Sequence, residues 1–355
     1  MLNAFLYTGA AKYRTWTDEY VSAWMERVRQ NNGILPDNVG LSGAVGECMA
    51  GKWWGGYYGW HWPHGLFNQL ESTLIGAANA YLVTGDSKYL ELPRSVLNLV
   101  QQQSRKVNGQ VLLPNRYGDQ GWYDYRPLQP SYPIYLWSIS QETEDYDRIA
   151  QLCNPESWDQ LNYRKAKGDW GHEGPWLRFI EGHNPDYPVQ ILKATYAETL
   201  RRLQRIRSDQ SIPEDRDVHH WQDRNPVVLE GLVQTMLGSP NHIYHGGLLH
   251  CRVRYFDPIH QRPGVPADVA ALVDAVHVDS ISVQLVNLHP SEPRDVILQA
   301  GAFGEHQFTT VHADGKDTTV DRKFFRVRLA PGVVARLTAG MNRYVNTPSY
   351  AFPWD

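Results

Sequence analysis

The chain has 355 residues, with 34 Lys and Arg against 38 Asp and Glu, a net charge of −4, and 42% hydrophobic against 20% charged residues. That length suits one large and one smaller unit with a sizeable core, and so even a charge balance leaves no electrostatic footprint for nucleic acid or an anionic membrane. The three cysteines form no CxxC, no apolar run reaches about 18 residues, and no basic-then-apolar leader opens the chain. A zinc cluster, a disulfide framework, a membrane span and a signal peptide are therefore not expected, and a reducing, cytoplasmic setting is the default.

In chain order, the first signal is a repeat. NAFLYTG at 3–9 returns as NAYLVTG at 79–85, a fixed offset of 76 from Thr8 to Thr84, and Lys12-Tyr13 and Asn32-Gly33 return as Lys88-Tyr89 and Asn108-Gly109. Self-similarity of this kind marks a repeated structural unit. In the second copy a helix opens near Pro63 and carries Leu66, Leu70, Leu74 and Ala77 on one stripe. Thr84-Gly85-Asp86 makes the turn, and a second helix carries Tyr89, Leu92, Val96, Leu97 and Val100 and ends before Asn108-Gly109. Each unit reads as a helical hairpin followed by a polar, aromatic loop. The first copy starts only a few residues before its own turn, so the N-terminal two-thirds of its first helix is expected to be missing: the chain is truncated, or a partner supplies what is lost.

Residues 143–154 and 187–208 read as a later hairpin, the second helix with Val189, Leu192, Tyr196, Leu200, Leu203 and Ile206 on one face, and 225–237 as a further short helix. That makes about four hairpins, most of a ring. From about Asn241 the pattern changes to alternating and β-branched runs at 277–289, 294–303 and 323–340, with turns at Pro290, Asp314-Gly315 and Pro331-Gly332. The expected architecture is α+β and multidomain: an incomplete (α/α) helical-hairpin toroid over 1–238, then an antiparallel β-sandwich over 239–355.

The loops hold the unusual chemistry. GKWWGGYYGWHWPHG at 51–65 sets four Trp, two Tyr and two His among five Gly, in a chain with 13 Trp and 20 Tyr. Rings spaced by glycine lie on no helical or strand period, which favours a loop presenting rings to a ligand. LPNRYGDQGWYDYRPLQPSYP at 113–133 and GDWGHEGPW at 168–176 repeat the theme.

Hairpins with such loops, GILPDNVGLSGAVGE and KWWGGYYGWHWPHG above all, followed by a β-domain, resemble the (α/α) toroid carbohydrate-active enzymes. These are the six-hairpin glycoside hydrolases and the toroidal polysaccharide lyases, with the bacterial β-glucuronidase type the nearest in flavour. The resemblance covers nearly the whole chain and rests on architecture and loop character, not on a signature motif. It implies a cleft for sugar rings at one end of the toroid with the β-domain beside it; the missing N-terminal hairpins would remove one wall.

Hydrolysis of a glycosidic bond needs an acid for the leaving oxygen and a second carboxylate that activates water or attacks the anomeric carbon. Asp37 and Glu47 form the first candidate pair, although Asp37 could simply cap the turn after Pro36 and Glu47 be a solvated loop residue. Asp124, between Tyr123 and Tyr125, is a third candidate, because flanking rings favour the protonated form of a general acid. Arg116 or Arg126 suits a substrate carboxylate, or a surface stack on Tyr. Trp53, Trp54, Trp60 and Trp122 suit stacking on sugar faces, with Asn38, Tyr57, Tyr123, His64, His172 and Glu173 as further binding residues. The alternative is that these rings pack on each other or on a partner chain.

The expected activity is hydrolysis of an oligo- or polysaccharide, uronic-acid-containing in the preferred reading, with a carbohydrate as the only partner required and a homo-oligomer as an option. A rival is β-elimination, in which Tyr57 or Tyr58 with His61 or His64 removes the C5 proton of a uronate while Asn38 or Arg116 neutralises its carboxylate. His64 could equally just begin the following helix. A sugar epimerase on the same barrel and a non-catalytic carbohydrate-binding protein complete the alternatives. No metal or other cofactor is expected, since His61 and His64 lack HExxH-type spacing and GxSxG, P-loop and GxGxxG patterns are absent. The His-rich stretches HHWQD (219–223) and NHIYHGGLLH (241–250) sit at the domain junction and are assigned no catalysis.

Overall fold

The computed structural model describes residues 1–154, 161, 171–222, 224–241 and 247–355. Two parts follow one another along the chain: helices as far as Leu237, then strands from Val253 to Asn342. Among the described residues no helix is long and apolar enough to cross a membrane.

The helical part opens with α1 (Leu2–Thr8) and α2 (Ala11–Gln30), followed by α3 (Gly65–Thr84) and α4 (Glu91–Gln102). The internal repeat is physical. Gly9 and Gly85 both end their helices in the left-handed conformation, φ 65° and 70°, each returning its N–H to the carbonyl four residues back. Thr8 and Thr84 bond in the same way to Ala4 and Ala80, and accept from Ala10 and Asp86. The shared motif is thus a helix C-terminus sealed by Thr-Gly, where the left-handed residue carries no Cβ penalty. Asn32-Gly33 and Asn108-Gly109 also match, with positive φ at all four residues. Their settings differ: the first pair follows α2 directly, whereas the second turns the hairpin from β1 (Arg105–Val107) into β2 (Gln110–Gly118).

The stretch 113–133, expected to be a loop, is instead the rest of β2, an antiparallel β3 (Gly121–Arg126), and the first turn of α5 (Ser131–Ser140). The helices expected at 143–154 and 187–208 exist as α6 (Thr143–Leu152) and α8 (Tyr187–Ser208), yet they are not partners. α6 packs on α5, and α8 packs on α7 (Glu173–Ile180) and α9 (Glu230–Leu237). α5 is short and apolar on several faces, so it shows no clean helical stripe, and α7 is only eight residues long with Pro175 in its first turn. α3, α5 and α7 pack in succession. α4 and α6 lie against α3 and α5.

The second part has two antiparallel sheets. One is ordered β10 (Lys316–Arg322), β9 (Gln307–Ala313), β12 (Val334–Asn342), β7 (Ser280–Asn287), β6 (Val269–Val276); the other β11 (Phe324–Leu329), β8 (Arg294–Ala300), β4 (Val253–Asp257), β5 (Arg262–Pro263). The expected run 323–340 divides into β11 and β12 at Pro331-Gly332. β7 shows why a strand forms here: Ile281, Val283, Leu285 and Asn287 point inward with period two. Residues of both sheets, Tyr255, Val273, Val283, Leu298, Phe308 and Leu337 among them, form one apolar cluster.

Arginine joins the two parts. Arg343, just past β12, donates to the carbonyls of Ile139 and Ser140 at the C-terminus of α5, where a cation meets the negative end of the helix dipole. Tyr344 lies against Tyr81 with ring centroids 4.1 Å apart, and the Tyr350 N–H donates to the Leu6 carbonyl.

Candidate functional site

The aromatic loop before α3 is built around one carboxylate. Asp37 accepts the backbone N–H groups of Gly56 at 3.0 Å and Trp60 at 2.5 Å, and a Cβ on Gly59 would meet its Oδ2 at 2.0 Å. Glycine at 59 is therefore the space that the carboxylate fills. Burial raises the pKa of Asp37 above its ordinary value, against the pull of those two N–H groups and of His61. Asp37 also lines a cavity of about 220 Å³ with Tyr20, Trp24, Tyr57, Tyr58 and Gln69. Asn38 donates to the Trp54 carbonyl, and Glu47 is exposed and accepts from Ser42 N and Oγ. The proposed pair Asp37 and Glu47 thus belongs to two separate hydrogen-bond networks, each holding the loop itself.

The rings divide into two groups. Trp60 is fully buried and donates to the Leu35 carbonyl at 2.8 Å, which corrects the expectation that it stacks on a ligand. Trp122 packs on Trp60 with ring centroids 5.2 Å apart, and Trp53, Trp54, Tyr117 and Trp122 pack on each other at centroid distances of 4.5–6.3 Å. They form a small core that fastens the loop to the β2–β3 hairpin. Tyr57, Tyr58 and Trp62 make a second group, with Tyr57 76% and Tyr58 56% exposed. A hydrogen bond to Tyr58 raises the Tyr57 pKa. His61 and His64 are exposed beside them, and among the described residues no three His, Cys, Asp or Glu are grouped to hold a metal ion.

On the hairpin, Asp124 is not the protonated acid expected of it. Burial opposes its ionisation, but Arg126 at 2.7 Å and Asn115 at 3.0 Å outweigh that and hold its pKa below the ordinary value. Arg116 donates twice to the His61 carbonyl, at 3.0 and 2.6 Å, and lies over Tyr123 with 4.8 Å to the ring centroid. Both arginines expected to receive a uronate carboxylate are therefore engaged by the protein, as the surface-stack alternative allowed for Arg116.

The third loop resolves differently again. Trp170 lies outside the described residues, while His172 and Glu173 form the N-terminus of α7 and are buried, 1% and 2% exposed. Glu230 is the first residue of α9 and fully buried. Its carboxylate meets His172 Nδ1 at 2.7 Å and accepts the His172 N–H at 2.8 Å. Tyr187 holds the same corner, donating to Gln234 at 2.5 Å with the His172 carbonyl at 3.2 Å. Glu173 Oε2 accepts from Ser131 Oγ, at the start of α5, at 3.0 Å. Burial first, then the charge of Glu230, pushes Glu173 up to about 7, while burial lowers the pKa of His172. Glu71 of α3, 5% exposed, and Glu173 and Glu230 all act electrostatically on the buried hydroxyl of Tyr135 in α5. Four helices thus contribute these groups: Glu71 from α3, Tyr135 from α5, Glu173 from α7 and Glu230 from α9.

This centre contains His172 and Glu173 from the sequence candidates and adds Glu71, Ser131, Tyr135 and Glu230. None of the four added residues lies in a recognisable motif. The signal available was a polar residue on an otherwise apolar helical stripe, as Glu71 is between Leu70 and Leu74.

A family model described as a domain of unknown function, DUF8034, matches residues 1–112 and 101–233. The chain belongs to that family, and the match runs through the helical part and stops before the first strand of the β-rich part. No curated protein matches the chain.

Proposed function

We propose that this DUF8034 chain is a glycoside hydrolase whose proton donor is Glu173. The observation that carries the reading is a buried carboxyl raised to about 7 beside a second carboxylate, Glu230, that is held by His172. Two carboxyl groups with different environments are the requirement of acid/base cleavage of a glycosidic bond, since one must stay protonated near neutral pH while the other does not. Glu173 donates to the leaving oxygen, and Glu230 activates water or attacks. Glu173 and Glu230 replace Asp37, Glu47 and Asp124 in those roles.

The surroundings fit a sugar site. α3, α5, α7 and α9 place Glu71, Ser131, Glu173 and Glu230 in their first two turns, and the aromatic loop and the β2–β3 hairpin lead directly into α3 and α5. Tyr57 and Tyr58 are exposed rings, with the half-buried Trp62 against them, suited to outer sugar units. We read the helical part as an arc of an (α/α) toroid and the two sheets as a sandwich, with the boundary near 238. The test is release of reducing ends from a panel of polysaccharides, recorded with absorbance near 235 nm. Hydrolysis gives reducing ends alone and is lost in Glu173→Gln. Absorbance rising with the reducing ends would replace this reading by β-elimination at Tyr57, Tyr58 and His61.

A further inference from the structure

α2 and α3 pack side by side and leave two cavities along their seam. The first, of about 220 Å³, is the one that Asp37 shares with Tyr57 and Tyr58; the second, of about 430 Å³, continues towards Met1 and Leu2, which line it. Tyr20, Val21, Ser72 and Gly76 line both, so the cavities adjoin and form one groove. From Asn68 to Asn79 the groove follows α3 for about 16 Å.

Its two sides differ in chemistry. One carries rings: Tyr20 and Trp24, one turn apart on α2 with centroids 6.4 Å apart, and Tyr57 and Tyr58 of the aromatic loop. Tyr20, like Tyr58, is 56% exposed. The other side carries short polar side chains, Asn68, Ser72 and Asn79, whose spacing of four and seven residues puts them on one face of α3. Asn79 Oδ1 is buried and makes no hydrogen bond. Buried amide oxygens are nearly always paired, so this one is placed for a donor that arrives from outside. Gly76 sets the depth between the two sides. Glycine inside a helix is less stable than alanine, and the fold does not require it here, because a Cβ at Gly76 would meet only Val21 Cγ2, at an ordinary 3.8 Å. What a methyl group would take is space in the groove.

We propose that this groove binds a run of sugar units, with Tyr20, Tyr57 and Tyr58 against ring faces and Ser72 and Asn79 against hydroxyl groups. The chemical class rests on the hydrolase reading; the place and the residues rest on the groove. Rings on one side and amide and hydroxyl groups on the other match the apolar faces and polar edges of a sugar. A groove that holds chain units rather than the reacting bond lowers KM for long chains and leaves kcat unchanged.

The experiment titrates the full chain carrying Glu173→Gln, so that bound chains are not cut, with hexasaccharides of cellulose, xylan, mannan and galacturonan in a calorimeter. At least one should bind with a millimolar or tighter Kd. Adding Ser72→Phe, which fills the groove from an exposed position, should weaken that binding about tenfold or more, and Tyr20→Ala about threefold. Gly76→Ala separates function from folding: its Tm should rise while its affinity falls about threefold. Binding of none of the four, or binding that Ser72→Phe and Gly76→Ala leave unchanged, would overturn the proposal. So would a dimer that Ser72→Phe converts to monomers in the ultracentrifuge, because a second copy would then be the occupant. The hydrolase reading fails separately, if the wild type cleaves none of the four polymers or Glu173→Gln cleaves at the wild-type rate, and neither result alters the comparison of affinities among the groove variants.

Discussion

The aromatic rim and the buried centre are made from similar residue types, yet they differ in what their polar groups have left to do. On the rim, Asp37 holds two backbone N–H groups, Asp124 holds Arg126 and Asn115, and Arg116 holds the His61 carbonyl. In the centre, Tyr135 has no partner and Glu173 is kept protonated near neutral pH by burial and by Glu230. A side chain whose hydrogen bonds are already complete stabilises a loop. One held in a costly state by its surroundings is available to a substrate.

Substitutions on either side of that contrast test it. The largest effect belongs to Glu173→Gln, with a loss of turnover of about a hundredfold or more, the range for removing a general acid. Wild-type activity should fall as the pH rises through about 7, as the donor deprotonates. Stability follows the same sign. Because the folded pKa of Glu173 lies above its ordinary 4.5, its contribution is fully present below about 4.5 and is lost as the pH rises through about 7. Thermal unfolding across that window should show a flatter slope in Glu173→Gln, the remaining slope belonging in part to Glu305, which burial also raises to about 7.

Trp60→Ala should cost about 3–5 kcal/mol by denaturant unfolding, as expected for removing a buried ring, and would mark Trp60 as core rather than ligand platform. Tyr57→Ala should do the reverse, leaving stability within about 0.5 kcal/mol while raising KM several-fold for long substrates. The smallest effect is expected of Asp124→Asn: about 0.5 kcal/mol, given that Arg126 is half exposed, and turnover within about twofold of wild type. A large loss of activity there would return the chemistry to the hairpin.

Much of the fold was legible in the sequence. The Thr-Gly turns 76 residues apart, the stripe of α3 and the alternation in β7 are local signals, and so is the change from a helical to a β-rich part. α5 and α7 were not legible as helices. SYPIYLWSIS is apolar nearly all round, and EGPWLRFI carries Pro175 in its first turn, where proline is tolerated but reads as a loop. Missing them hid the centre, because Ser131, Tyr135 and Glu173 lie on those helices. Glu71 and Glu230 were hidden for a different reason. A glutamate in a helix resembles a solvated face until packing buries it, and only the fold reveals that Glu71, Glu173 and Glu230 are buried and act on Tyr135. The glycine-spaced rings drew attention because they are rare, and several of them turn out to be the loop's own core.

The most direct test is kcat/KM for Glu173→Gln and Asp124→Asn measured side by side on whichever polysaccharide the wild type cleaves best. A loss of about a hundredfold or more in Glu173→Gln, with Asp124→Asn within about twofold of wild type, is the result predicted for chemistry in the helix-lined centre. The opposite ordering, with Glu173→Gln active and Asp124→Asn inactive, would contradict it and place catalysis on the aromatic rim.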